Sequence, residues 1–143
     1  MPKADLSPSE MPTLLDEASK TAVRFRLALA HSGVIAFEHD VDLRYTWIHS
    51  TQFYEMSQVI GKTDADLFPG EDSERLMALK RRVLRSGVRA REEVHVTRGG
   101  QRHDYILTVE RLLDADGIPV GLTGASTNIT AAKESERKLA EAL

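Results

Sequence analysis

The sequence predicts an α+β fold built on a five-stranded antiparallel sheet, and three observations carry that reading. Two pairs of β-rich segments, residues 34–39 with 43–49 and 91–97 with 103–112, read as hairpins separated by a helical middle. A fifth strand, residues 120–127, runs without a loop into a charged helix, and a long amphipathic helix precedes the first hairpin. Strands and helices are therefore segregated along the chain, the pattern of α+β folds and not of alternating βα units.

At 143 residues the chain holds one domain with extensions. Its 41% hydrophobic and 29% charged residues fit a folded globular core and exclude a disordered chain. A net charge of -3, from 19 basic and 22 acidic residues spread along the sequence, gives no electrostatic reason to expect nucleic acid or an anionic membrane as partner. No apolar run approaches the roughly 20 residues of a membrane span and the polar start has no signal-peptide core, so the expected location is the cytoplasm. Zero cysteines exclude disulfides, thiolate metal sites, cysteine nucleophiles and thioether-linked chromophores.

Residues 1–11, with two Pro and two Ser among the first ten, read as a disordered leader. From Pro12, acceptable in a first helical turn, residues 12–32 carry an amphipathic helix that ends at Ser32-Gly33. Its apolar residues Leu15, Ala18, Ala22, Phe25 and Leu29 repeat at 3-4 spacing, which suits pairing with a second copy or packing over the chain's own sheet. Residues 40–42 turn the first hairpin. In residues 43–49, strict alternation puts Leu43, Tyr45, Trp47 and His49 on one face and Arg44, Thr46 and Ile48 on the other.

Residues 50–69 hold short apolar clusters around Gly61, and Thr63 is placed to cap a turn that continues through Asp64 and Asp66. Glu71–Ser86 is the clearest helix: Leu76, Leu79 and Val83 make its stripe, acids lead it, and Gly87 closes it. The basic run Lys80, Arg81, Arg82 with Arg85 reads as a solvated face complementing the macrodipole. A Gly-Gly turn at 99–100 joins the second hairpin, and Ala115-Asp116-Gly117 turns the chain into the last strand. There Gly121 and Gly124 let a neighbouring backbone or a bound molecule approach closely, and the strand is expected to be central.

Thr127, Asn128, Ile129 and Thr130 form the joint where strand passes into helix, with Asn128 or Thr130 available as cap. Beyond it Ile129, Ala132, Glu136, Leu139 and Leu143 make a thin seam, and Lys133, Glu134, Arg137, Lys138 and Glu141 are expected to face water.

The run VGLTGASTNIT followed by a charged helix resembles the end of a PAS domain, and LRYTWIHS, GKTDADLFP and ALKRRVLRSG are similar to PAS domains placed ahead of bacterial sensor histidine kinases. The resemblance covers about three quarters of the chain, in family order. It departs at Asn128, where the family has an Asp that can pair with a basic residue. The resemblance implies a PAS core at residues 33–128, a signalling helix starting at 129–143, and a ligand pocket between the sheet and residues 50–86. By strand phase that pocket is lined by Thr46 and Ile48, Leu79 and Val83 of the long helix, and Leu107.

The five histidines show no HxxxH or HxH spacing, so no metal site is expected, and the acids near Glu71 are accounted for as helix-start residues. His95 and His103 flank one hairpin turn and are candidates to lie across from each other. The helix that in haem-binding PAS domains carries the iron-ligating His has none here, which makes haem an unexpected cofactor; the ligand stays unknown. No nucleophile and base are spaced for catalysis, so the chain is not expected to be an enzyme, although a kinase could follow it. The expectation is a cytoplasmic regulatory PAS module, homodimeric through residues 12–32, passing ligand occupancy or dimer geometry to a downstream output domain. The alternatives are a small α+β ligand-binding protein or enzyme, and a module that only dimerises.

Overall fold

The structure is a computed structural model that describes residues 10–30, 32–49, 56–68 and 70–143, the side chains of residues 10–15 and 56 excepted. Its elements are α1 (Glu10–Ala30), β1 (Val34–His39), β2 (Tyr45–His49), α2 (Met56–Val59), α3 (Asp64–Leu67), α4 (Glu71–Ser86), β3 (Ala90–Arg98), β4 (Gln101–Leu113), β5 (Pro119–Asn128) and α5 (Thr130–Ala142). They divide into two units, Met1–Ser32 and Gly33–Leu143.

In the first unit α1 begins at Glu10, two residues before the expected start. Pro12 still stands in the first turn, where backbone N–H groups have no intrahelical acceptor and its missing donor costs nothing. Ala18, Ala22, Phe25 and Leu29 share one side of the helix by their spacing, and the side chain of Leu15 lies outside the described residues. Residues 1–9 of the expected leader also lie outside them.

In the second unit the five strands form one antiparallel sheet in the order β2-β1-β5-β4-β3, with β5 central as its composition suggested. The glycines of β5 explain its place. A Cβ at Gly121 would lie 1.9 Å from the His39 carbonyl oxygen, and one at Gly124 would lie 2.4 Å from the Thr108 carbonyl oxygen and 2.7 Å from the Phe37 ring. Neighbouring backbone, not a bound molecule, uses that space. Gly99 and Gly100, at φ 57° and 77°, form a two-residue turn whose twist matches the strands. The ladder therefore runs to Arg98 and Gln101, beyond the expected ends at 97 and 103.

The first hairpin departs from simple alternation. Asp40 Oδ1 accepts from the N–H groups of Asp42 (2.9 Å) and Arg44 (3.0 Å), which draws Leu43 into the turn at φ 62°. Leu43 is thus not the first strand residue, although its side chain is buried. One step further, Glu38 pairs with Trp47 and His39 with Tyr45, leaving Thr46 as the extra residue of a β-bulge. Tyr45 and Ile48 consequently both point into the core and Thr46 points out.

Helices α2–α4 cover one face of the sheet. Thr63 caps α3 through a reciprocal capping box with Asp66. Gly87, at φ 72°, ends α4. Leu76, Leu79 and Val83 of α4 join Phe37, Ile48, Leu107, Val109 and Leu122 of the sheet in one core.

Candidate functional site

Between the sheet and α3–α4 lies a cavity of about 60 Å³. A water needs roughly 10–15 Å³ on this measure, so the space suits a few waters or a very small molecule and falls well short of the several hundred Å³ of a usual ligand pocket. Its walls are mostly apolar, from Ile35, Phe37, Ile48, Phe68, Leu76, Val94, Val96 and Leu107. Polar groups stand in two places: Tyr45, Asp64 and Lys80 from β2, α3 and α4, and Arg98, Tyr105 and Ser126 from β3, β4 and β5.

Of the pocket residues expected from sequence, Ile48 and Leu107 line this cavity. Leu79 and Val83 are buried but pack in the adjoining core instead of facing the space. Thr46 is corrected: it is exposed, because the bulge inserts it on the opposite side from Ile48.

The larger correction concerns Lys80, which is not on a solvated face. Its Nζ sits 2.6 Å from Asp64 Oδ2, with side-chain exposures of 3% and 1%. Tyr45 donates its hydroxyl to Asp64 Oδ1 at 2.6 Å, and Lys80 Nζ also lies over the Phe37 ring, 4.8 Å from its centroid. Burial pushes the Asp64 carboxyl up; the Lys80 charge and the hydrogen bonds from Lys80 and Tyr45 outweigh this and hold it below its ordinary value. Asp64 was legible only as a helix-start acid, whereas the spacing 76, 79, 80, 83 does put Lys80 on the inward stripe of α4.

His39 completes the cluster, its ring 4.2 Å from that of Tyr45 and 5.2 Å from that of Phe37. Among the described residues neither ring nitrogen makes a well-formed hydrogen bond, and the Arg44 backbone offers only a weak polar contact. Burial first, and then the Lys80 charge, lower its pKa to about 3, so it is neutral at physiological pH. His95 and His103 do not face each other, since Val96 pairs with His103 and His95 with Asp104. Among the described residues no group of three or more His, Asp or Glu is placed to hold a metal ion.

The joint lies at the far end of β5. Ile129 N–H donates to the Asp104 carbonyl at 2.8 Å, Asp104 N–H donates to Thr130 Oγ1 at 3.0 Å, and Thr130 N–H donates to Asn128 Oδ1 at 2.9 Å. Asn128 is therefore a neutral cap on the first helical N–H, while Thr130 ties the helix start to β4. Beyond it α5 buries no side chain, and Leu139 is 64% exposed. The face turned to the sheet is that of Lys133 and Arg137, expected to face water, and the seam of Ala132, Glu136, Leu139 and Leu143 is left open.

An antiparallel five-stranded sheet with a small helix-covered cavity on one face, and a helix leaving from its central strand, defines a single-sheet α+β module. A family model for the PAS fold matches residues 29–134, and the chain belongs to that family: it is a PAS domain of a signalling protein. It is 28% identical over 118 residues, 80% of its length, to Probable histidine kinase 1 of Oryza sativa subsp. indica, of which it spans only 12%. Among solved structures it is similar to VqmA of Vibrio cholerae, a dimer with a target DNA, at TM-score 0.63 and 15% identity, covering 75% of this chain and 51% of that one. It is also similar to a sensory box sensor histidine kinase from Vibrio cholerae at TM-score 0.58 and 13% identity, covering 82% of this chain and 98% of that one.

Proposed function

We propose that this chain is a non-catalytic, dimeric PAS module of a sensor histidine kinase, which re-aims α5 toward an output domain when its core or its dimer geometry changes. The observation that carries the reading is the joint: the central strand passes into α5 through Asn128 and Ile129, so a shift in the sheet moves the helix start with it. The kinase relative supports the choice of output, and the net charge of -3 supports leaving any nucleic-acid contact to other domains. Among the described residues no helix is long and apolar enough to cross a membrane, and we place the module in the cytoplasm. The mutual satisfaction of Asp64, Lys80 and Tyr45 supports a structural and not a catalytic use of these groups.

Any ligand of the cavity as it stands is limited to a few heavy atoms, mostly apolar. That same size favours a second reading, a module that senses dimer geometry alone. The experiment fills the cavity from within by Ser126→Val and compares amide exchange of residues 131–138, with native mass spectrometry of the unaltered protein. Changed exchange in α5 with a co-purified small molecule supports ligand sensing, and changed exchange in a ligand-free dimer supports the second reading. Unchanged exchange in α5 overturns transmission through the joint.

A further inference from the structure

Helix α5 is held to the sheet without burying a side chain, so apolar packing does not account for its docking. A 13-residue helix is marginal alone in water. What it does make are charged contacts. Asp104, on β4, has a carboxylate that is 7% exposed, with Arg102 Nε at 3.0 Å from Oδ1 and Arg137 Nη2 at 3.6 Å from Oδ2. Oδ2 is buried and has no hydrogen-bond partner among the described residues, so the α5 guanidinium meets an acceptor with unused capacity. One turn earlier, Lys133 Nζ lies 2.8 Å from Glu93 Oε2 on β3. Lys133 and Arg137 are four residues apart and share a face. Asp104 also supplies both backbone groups that bind Ile129 and Thr130.

We propose that Asp104 is the positioning residue of the joint, a carboxylate latch for α5 acting through Arg137 and seconded by the Glu93–Lys133 pair. This rests on the reading of α5 as the output element. It relocates the charge that position 128 lacks: Asn128 caps one N–H, and the electrostatic hold comes from the neighbouring strand. Because Arg137 and Glu93 are each 59% exposed, salt screens the hold, while the backbone bonds of Asp104 persist.

The test is amide exchange of residues 131–138 in Asp104→Asn, Arg137→Gln, the double variant and Asn128→Ala, with exchange of the sheet core as the folding control. Arg137→Gln alters only an exposed side chain and keeps the experiment sound if Asp104→Asn perturbs folding. Each single change at 104 or 137 is expected to speed exchange roughly three- to fivefold, the scale of one partly exposed ion pair. The double variant should exceed neither by much, and raising the salt should speed the unaltered protein more than the double variant, which keeps only the Glu93–Lys133 pair. Additive effects, no effect, or a larger effect of Asn128→Ala than of Asp104→Asn overturn the latch. The measurement needs neither ligand nor output domain. Coupling between 104 and 137 with no response to Ser126→Val upholds the latch and fails the transmission reading; a response to Ser126→Val without that coupling does the reverse.

Discussion

Replacing Lys80 by Met should destabilise the domain strongly at neutral pH and much less in acid. The substitution keeps the stem that packs beside Phe37 and removes the ammonium 2.6 Å from Asp64. Asp64, with a side chain 1% exposed, then holds an uncompensated charge that it can shed only by taking up a proton. Against the ordinary carboxyl value of 3.8, keeping it protonated at pH 7 costs at most about 4 kcal/mol, at about 1.4 kcal/mol per unit. That matches the roughly 3–5 kcal/mol of a broken buried pair.

The sign follows from linkage. In the unaltered protein Asp64 titrates below its unfolded value, so its contribution is present above 3.8 and is lost only as pH falls through the lower folded value. In the variant the burial effect is unopposed and the folded value rises, so the penalty grows with pH above 3.8. At pH 4 the protonation cost should shrink below about 1 kcal/mol, leaving only the loss of the ion pair itself. Urea unfolding followed through Trp47, the single tryptophan, reads this as a midpoint shift of about 2 M at pH 7. Adding Asp64→Asn keeps the Tyr45 hydroxyl bonded and should recover most of the loss. Equal penalties at pH 4 and pH 7, or a loss under about 1 kcal/mol at pH 7, would refute the buried pair.

Three further outcomes are expected. His39, neutral when folded and titrating at about 3 instead of 6.5, makes the domain lose stability as pH falls from 6.5 toward 3, by up to about 1.4 kcal/mol per unit; His39→Leu should flatten that slope in urea titrations. Gly124→Ala should lower stability by more than about 1 kcal/mol, because the added methyl meets the Thr108 carbonyl and the Phe37 ring; thermal unfolding with no shift would contradict the close approach. Leu15→Glu with Phe25→Glu should give monomers by native mass spectrometry if α1 pairs with a second copy, and a monomeric mass for the unaltered protein at every concentration would end that reading.

Much of this protein is local and was therefore legible in its sequence. Period, caps and turns place α4 at Glu71–Ser86, pair Thr63 with α3 and turn the chain at Gly99-Gly100, because each depends on neighbours a few residues away, whereas the glycines of β5 only suggest a central place that pairing with the distant β1 and with β4 supplies. The same locality offered Asn128 or Thr130 as cap for the start of α5, and the structure has Asn128 Oδ1 accepting from the Thr130 N–H. Tertiary structure decided the rest. Thr46 left the cavity because a bulge belongs to a pair of strands, and alternation within one strand cannot reveal it. Lys80 went inward because a carboxylate 16 residues earlier and the Phe37 ring meet it there; a lysine on an apolar stripe declares its burial only once its partner is placed. The face of α5 was likewise set from outside. Its apolar seam is too thin to seat it, so Asp104 and Glu93, brought beside it by the β3–β4 ladder, turned Lys133 and Arg137 toward the sheet.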